Sequence, residues 1–143
     1  MKYKLSSILL IDDDKATNFI HKHLIKKTLV VDTVINKLNG LEAIKYLTTK
    51  KDGEYPQTDL IFLDINMPIM DGWEFIEEYK KINFSKKAVI IIMLTTSLNP
   101  SERERSEKTE IIADFVTKPL TAENLQDVVK SYFLKNDDIR QQN

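Results

Sequence analysis

The feature that most constrains this fold is a set of short, solidly apolar runs that each stop at a polar residue. Three such runs are Ile8–Ile11, Leu60–Leu63 and Ala88–Leu94, which are followed by Asp12, Asp64 and Thr95. An apolar run without alternating polar positions is typical of a strand that is buried on both faces, as in a parallel sheet. We therefore expect a parallel sheet whose strands carry polar side chains at their carboxyl ends.

Five strands are predicted, and segments with helical spacing of apolar residues alternate with them. The strands are predicted at Ser7–Asp12, Val30–Leu38, Leu60–Leu63, Ala88–Leu94 and Phe115–Thr117. The helices are predicted at Lys15–Thr28, from Leu41 to about Lys50, from Asp71-Gly72 to about Ile82, from Pro100 to about Thr109, and from Thr121 to about Phe133. Short apolar strands that alternate with helices predict an α/β fold with helices on both faces of the sheet.

Capping residues mark the starts of three helices. Asp14 and Thr121 are predicted N-caps. Asn99 precedes Pro100, and Glu102 stands where a capping box needs its acid. The helix after Asn99 is polar all round, so we expect it to be marginally stable and mobile unless another element packs on it.

The charge balance and the lack of cysteine exclude several classes of protein. The chain has 143 residues, 21 basic and 22 acidic side chains, a formal net charge of −1 and no cysteine. Disulfide scaffolds and thiolate metal sites are therefore excluded, and the basic excess typical of a nucleic-acid binder is missing. The longest apolar run is far below the roughly 18 residues of a membrane helix, so we expect no membrane contact. These features predict one cytoplasmic domain over residues 1–143, with its core at 7–134 and a polar tail at 135–143.

Polar side chains are expected to collect beyond the carboxyl ends of the strands, where ligands bind in sheets of this kind. They come from four of the five predicted strands and are Asp12, Asp13, Asp64, Thr95 and Lys118. Close carboxylates repel one another, and a hard cation such as Mg²⁺ or Mn²⁺ relieves the repulsion through oxygen ligands. Such a cation polarises a phosphoryl oxygen, a further carboxylate can attack the phosphorus, and lysine and threonine can bind the remaining oxygens. The pattern therefore favours transfer of a phosphoryl group to an aspartate.

Four motifs resemble the receiver domain of two-component response regulators, of the chemotaxis-receiver type. They are ILLIDDD at strand one, FLDINMPIMDGWEF around strand three, IIMLTTS at strand four and FVTKPL at strand five. The resemblance covers Ser7 to Phe133. It implies a flavodoxin-like fold, which is a doubly wound five-stranded parallel sheet in the order 2-1-3-4-5 with five helices.

The resemblance also implies the chemical roles of single residues. Asp64 matches the phosphoacceptor, and Asp12 and Asp13 match the acidic pair that holds Mg²⁺, or Mn²⁺ as an alternative. Asn66 matches the position whose backbone carbonyl binds the ion. Lys118 matches the lysine that pairs with the phosphoryl group, and before phosphorylation it is expected to pair with Asp64.

Three further matches concern the conformational switch. Thr95 matches the switch hydroxyl, Phe115 matches the switch aromatic residue, and Pro119 matches a proline that follows a cis peptide bond. Two departures from the family pattern affect this region. Ile111-Ile112 replace the usual Gly-Ala before strand five, and Phe115 lacks the hydroxyl of the tyrosine that is often found there.

Taken with these roles, the resemblance implies a single-domain response regulator, similar to the stand-alone receivers that serve hybrid or phytochrome-like histidine kinases. A sensor histidine kinase would donate the phosphoryl group, and the chain would be a signalling domain rather than an enzyme. The output surface is expected on the fourth helix, fifth strand and fifth helix. It would contact a downstream protein or a phosphotransfer protein, or form a homodimer, and no direct contact with nucleic acid is expected.

Two other functions stay open as alternatives, and one is set aside. A haloacid-dehalogenase-like phosphatase uses Asp-x-Asp after a strand, which Asp12 and Asp14 fit, although Ala16 stands where that family has Thr or Val. A pseudo-receiver would bind partners without phosphorylation. A flavin-binding module is disfavoured because three aspartates occupy the place of its phosphate loop.

Two other kinds of residue are predicted to have no catalytic role. His21 and His23 are two positions apart on a helix, so they point to different faces. A metal site formed by them is disfavoured, and surface or partly buried positions are expected. Trp73 is expected to be a partly exposed helix residue.

Overall fold

The centre of the molecule is a five-stranded sheet in which neighbouring strands are parallel. The computed structural model describes residues 4–82, 89–96 and 99–134. The strands are β1 (Leu5–Ile11), β2 (Val31–Lys37), β3 (Leu60–Leu63), β4 (Ile90–Thr95) and β5 (Ile112–Thr117). Their spatial order is β2-β1-β3-β4-β5, which confirms the predicted flavodoxin-like topology.

Five α-helices lie between and after the strands. They are α1 (Lys15–Lys27), α2 (Gly40–Leu47), α3 (Gly72–Lys80), α4 (Pro100–Lys108) and α5 (Ala122–Val129), and a π-helical turn (Lys130–Leu134) continues α5. The predicted caps of α1 and α5 are confirmed. Asp14 Oδ1 accepts from Ala16 N at 2.9 Å, and Thr121 Oγ1 accepts from Asn124 N at 3.0 Å.

The sheet separates two apolar cores, and alternate residues of the central strands enter each one. In β1, Ile8 and Leu10 pack on the side of α1 and α5, while Leu9 and Ile11 pack on the side of α2 and α3. All four residues of β3 are buried. Burial on both faces explains why the central strands are continuous apolar runs.

β5 is longer than predicted. Its first residues were not recognised in the sequence because an edge strand need not be a continuous apolar run. It begins at Ile112 rather than Phe115, and a register shift between Ile91 and Ile92 accommodates its pairing with β4. Ala113 and Asp114 are exposed, so this part of the strand lacks the apolar signature of the central strands. Ile112, the second of the two isoleucines that replace the usual Gly-Ala of the family, is buried in the second core.

Three helix boundaries also differ from the predictions for local reasons. α2 begins at Gly40, one residue before its predicted start, because Asn39 is its N-cap. The helix ends at Leu47, and the Thr48 hydroxyl that follows donates to the Ile44 carbonyl at 2.7 Å. α3 ends at Lys80, so Ile82 lies beyond it. The capping box is found at α3, between Asp71 and Glu74, rather than at α4.

The expectations for Trp73 and Glu102 are wrong for a common reason. Trp73 is only 8% exposed, and its indole Nε1 donates to Glu102 Oε2 at 2.8 Å. The Glu102 carboxylate therefore joins α4 to α3 instead of closing a capping box at the start of α4.

Some predictions concern residues beyond the described ranges. Ala88, Ser97 and the polar tail at 135–143 lie outside them. Within these ranges, no helix combines the length and the apolar character that crossing a membrane requires.

Candidate functional site

The carboxyl ends of β1 and β3 bring two aspartates together. Ile11 and Leu63 are partners in the parallel register, so the next residues, Asp12 and Asp64, leave adjacent strands at the same edge. Asp64 N donates to the Ile11 carbonyl at 3.0 Å, which fixes the two chain segments together. The sheet register therefore sets the spacing of these two carboxylates.

Three carboxylates form one acidic cluster at this edge. Asp12, Asp13 and Asp64 each offer an oxygen atom, and these atoms all lie within 4.8 Å of one another. Asp12 and Asp64 are buried, with 5% and 7% exposure, while Asp13 is exposed. An oxygen-only donor set with one open side fits a hard divalent cation such as Mg²⁺ or Mn²⁺.

Lys118 reaches the cluster from the end of β5. Its ammonium hydrogen-bonds to Asp12 Oδ2 and lies 3.5 Å from Asp64 Oδ1. The backbone N–H of Lys118 donates to the Thr95 carbonyl at 2.9 Å, which ties this residue to the end of β4. One ammonium and three ionised carboxylates together have a net charge of −2, which a divalent cation would neutralise.

The two oxygens of Asp64 have different surroundings. Oδ1 accepts from Ile65 N at 2.9 Å and faces Lys118, whereas Oδ2 accepts no hydrogen bond from any residue that the structure describes. Burial raises the pKa of Asp64 to about 6; Lys118 opposes this rise and the charge of Asp12 adds to it. The buried Asp64 carboxylate therefore holds its proton more readily than an exposed aspartate does.

The loop after Asp64 approaches the start of α3 so closely that only glycine fits. A Cβ on Gly72 would lie 2.5 Å from the carbonyl oxygen of Asp64, and Gly72 N donates to the Ile65 carbonyl at 2.8 Å. Asn66 lies in this loop with an exposed side chain. Gly72 thus holds the segment that carries Asp64, a role that the Asp-Gly pair alone did not reveal.

The predicted switch residues lie on β4, β5 and the turn that follows β5. Thr95 is 1% exposed and pairs in register with Thr117. Phe115 is half-buried, and the Arg103 guanidinium lies 5.5 Å from the centre of its ring. The peptide bond before Pro119 is cis, as the resemblance implies.

Two buried polar residues of α1 also reach this edge, and sequence reasoning missed both. Asn18 Nδ2 donates to the Asp12 carbonyl at 2.8 Å, and His21 Nε2 accepts from Leu120 N at 3.2 Å. His21 is 3% exposed, against the expectation of a surface or partly buried position, whereas His23 is exposed. The two histidines do point to different faces of the helix.

Comparisons with known proteins agree with this fold. A sequence model of the response regulator receiver domain matches residues 8–130. The response regulator Rcp1 of Synechocystis sp. is 32% identical over 126 residues, which cover 86% of this chain and 81% of Rcp1. A two-component response regulator from Cytophaga hutchinsonii superposes with a TM-score of 0.76 at 34% identity, covering 90% of this chain and 96% of that one. The Mn²⁺-bound form of Rcp1 superposes with a TM-score of 0.67 at 30% identity, covering 90% and 94%.

Similar sequences also occur inside much larger proteins. The sensor histidine kinase CheAY of Helicobacter pylori is 32% identical over 123 residues, which cover 86% of this chain but only 14% of that kinase. The predicted resemblance is therefore confirmed, for a domain that is found both in small regulators and within kinases. With its order of strands and its acidic cluster, the chain belongs to the response regulator receiver domain family of two-component signalling proteins.

Proposed function

We propose that this chain is a single-domain response regulator that accepts a phosphoryl group on Asp64 in a Mg²⁺-dependent reaction. The observation that carries the proposal is the buried Asp64 carboxylate, which lies inside the acidic cluster and 3.5 Å from the Lys118 ammonium. A sensor histidine kinase is the proposed donor. One receiver domain over residues 1–143 is the proposed organisation, and its phosphorylation is a signalling event rather than turnover of a substrate.

The residues at this site have different chemical roles in the transfer. An Asp64 oxygen attacks phosphorus, and the phosphorus–nitrogen bond of the donor phosphohistidine breaks as the nitrogen leaves with the electron pair. Lys118 and Thr95 bind the oxygens of the transferred group, which places positive charge and a donor hydroxyl where negative charge gathers.

Asp12, Asp13 and Asp64, with the backbone carbonyl of Asn66, are the proposed ligands of the divalent ion. When bound, Mg²⁺ supplies charge neutralisation and polarises a phosphoryl oxygen. Their oxygen-only chemistry and the two surplus negative charges support this assignment. The Mn²⁺-bound form of Rcp1 supports Mn²⁺ as an alternative ion.

Phosphorylation is proposed to bias two arrangements of an output surface made of α4, β5 and α5. Thr95 would move toward the phosphoryl group and Phe115 would repack, shifting an equilibrium that exists before phosphorylation. The proposed partner is a downstream protein or a phosphotransfer protein, with a homodimer through the same surface as an alternative. Since Phe115 has no hydroxyl, packing alone would transmit its change.

A haloacid-dehalogenase-like phosphatase is less well supported. That reading needs Asp14 as its second acid, but Asp14 Oδ1 accepts from Ala16 N and Thr17 N as the cap of α1. These bonds lower the pKa of Asp14, with the backbone bond from Thr17 making the largest contribution. A carboxylate that is held ionised in this way is poorly suited to act as a general acid.

Labelling with acetyl phosphate tests the proposal. Wild-type protein with Mg²⁺ should take up one phosphoryl group per chain, and Asp64→Asn should take up none. Asp14→Asn is the matched control, since it removes an acid two residues from Asp12 that caps a helix, and it should be labelled normally. Labelling of Asp64→Asn at the wild-type level would refute the assignment of Asp64. A wild-type protein that is never labelled would favour the pseudo-receiver.

Asp13→Asn tests the metal ligands separately. Loss of one charged ligand should weaken Mg²⁺ binding, as measured by titration calorimetry. Without metal, the same change relieves repulsion among the carboxylates, so the free energy of unfolding should rise or stay the same. A large loss of stability would instead indicate a structural role for Asp13.

A further inference from the structure

Two hydrogen bonds fix the turn that carries Lys118. Lys118 N donates to the Thr95 carbonyl at 2.9 Å, and Leu120 N donates to His21 Nε2 at 3.2 Å. Pro119 lies between them and has no N–H. Each backbone donor of residues 118–120 is thus accounted for, and the acceptor for Leu120 is a side chain 99 positions earlier in the sequence.

The bond between His21 and Leu120 is inaccessible to water. Each of these two residues is 3% exposed, so water cannot replace the imidazole as the acceptor for Leu120 N. An apolar side chain would fill this position without the cost of burying a polar ring. What histidine adds is the acceptor nitrogen, and that nitrogen faces the backbone two residues after Lys118.

The same face of α1 also holds the acidic end of β1. Asn18 precedes His21 by three positions, which places the two side chains on one helix face. Asn18 Nδ2 donates to the Asp12 carbonyl at 2.8 Å. α1 therefore contacts both chain segments whose side chains, Asp12 and Lys118, pair across the site.

We propose that His21 is a positioning residue for Lys118. By holding Leu120, His21 Nε2 fixes the turn after β5 and with it the ammonium that contacts Asp64 and would meet the phosphoryl group. The inference rests on the proposed function, because it concerns how Lys118 is held for binding the phosphoryl group. It assigns His21 no contact with the phosphoryl group itself.

The imidazole must be neutral and must carry its proton on Nδ1 for this role, because Nε2 has to present a lone pair. A glutamine at this position can place an amide oxygen near the location of Nε2. Leucine and methionine have similar volumes but no acceptor of this strength. The three substitutions therefore separate the acceptor from the volume of the side chain.

The test measures beryllofluoride and Mg²⁺ affinities of wild type, His21→Leu, His21→Met and His21→Gln by titration calorimetry. In saturating Mg²⁺, His21→Leu and His21→Met should bind beryllofluoride on the order of tenfold more weakly, since a misplaced Lys118 ammonium makes a weaker charge-assisted hydrogen bond to it. His21→Gln should stay within about threefold of wild type if the acceptor is restored. Mg²⁺ affinity should not fall in any variant, because the Lys118 ammonium that bonds to Asp12 competes with the ion for this carboxylate and is not a ligand.

A double-mutant cycle with Lys118→Ala separates positioning from a general structural role. If His21 acts through Lys118, His21→Leu should have little further effect on beryllofluoride affinity once Lys118 is alanine. Equal losses in the two backgrounds would overturn the proposal. Wild-type affinity in His21→Leu would also overturn it while leaving the proposed function standing, whereas a wild-type protein that binds no beryllofluoride overturns both.

A measurement on the wild-type protein keeps the proposal testable if the apolar variants do not fold. Nitrogen chemical shifts of His21 at neutral pH should show an unprotonated Nε2 and a protonated Nδ1. A proton on Nε2 is incompatible with the bond from Leu120 and would overturn the proposal.

Discussion

The helices α4 and α5 flank the same edge strand, but they are attached to the molecule in different ways. α5 buries Leu125, Val128 and Val129 in the core that it shares with α1. α4 buries Ser106 alone, and its sequence has no apolar stripe. Burial of apolar area is non-directional and holds α5 as part of the scaffold. α4 needs another means of attachment.

Directed polar and aromatic contacts supply that attachment. Glu102 accepts from the Trp73 indole at 2.8 Å, and the Arg105 guanidinium lies 4.2 Å from the centre of a Trp73 ring. Arg103 lies over Phe115 in a similar way. These contacts meet the condition attached to the prediction for α4, which is marginal stability unless another element packs on it, and its mobility stays a prediction. Since each of these contacts is specific and small, one set can be exchanged for another at low cost, as the proposed switch requires.

Removing an apolar anchor of α5 should have the largest effect. Leu125→Ala should lower the free energy of unfolding by about 2–5 kcal/mol, because it deletes buried methyl groups and leaves a cavity. Gln126→Ala, on the exposed face of the same helix, should change it by less than about 0.5 kcal/mol. Urea unfolding measures both. If Ser106→Ala in α4 costs as much as Leu125→Ala, the two helices are not held differently.

Beryllofluoride, as a phosphoryl mimic, should act on α4 and leave α5 unchanged. With Mg²⁺ it should slow amide exchange across Pro100–Lys108 by at least about fivefold, since couplings of this kind are typically about 1–3 kcal/mol. Exchange in α5 should stay as it was, because apolar burial does not depend on the state of Asp64. Asp64→Asn is the control and should show no slowing. Equal slowing in both helices would mean that the domain tightens as a whole.

Trp73→Phe should loosen α4 specifically. The change removes the indole donor to Glu102 but keeps an aromatic ring, so we expect a loss of about 1 kcal/mol. Amide exchange in α4 should then rise about fivefold, while exchange in α5 stays the same. Glu102→Gln keeps an acceptor and should have a smaller effect. Unchanged exchange in Trp73→Phe would show that other contacts hold α4.

The contrast between these helices also separates what could be predicted from what could not. The parallel sheet and its acidic edge follow from local signals, the apolar runs that stop at Asp12 and Asp64, whereas the order of the strands follows from the resemblance to the receiver family. The bond of Trp73 to Glu102 joins residues 29 positions apart, and that of His21 to Leu120 joins residues 99 apart. No periodicity of the sequence encodes such pairs, because they depend on how the finished elements pack.

A change of pH should act at the start of α5 rather than on α4. Burial and the charge of Lys118 lower the pKa of His21 below its ordinary value of 6.5, with Asp12 opposing the shift. The unfolded chain therefore binds a proton at this residue more readily than the folded one, and stability falls as the pH drops below 6.5. One such group changes the free energy of unfolding by at most about 1.4 kcal/mol per pH unit.

Protonation of Asp64 changes the free energy of unfolding in the opposite direction, so a control variant is needed to separate the two residues. Its pKa is raised from 3.8 to about 6, so the folded state binds the extra proton and gains stability as the pH falls through that window. The difference in unfolding free energy between wild type and His21→Gln cancels this contribution and isolates His21. We expect the unfolding free energy of His21→Gln to increase relative to that of the wild type as the pH falls from 7 toward 5. Protonated His21 can no longer accept from Leu120 N. The protection of the wild-type Leu120 N–H, relative to its intrinsic exchange rate at each pH, should therefore fall over the same range, while the protection of α4 does not change. A stability difference that stays constant with pH would show that the pKa of His21 is the same in the folded and unfolded chains.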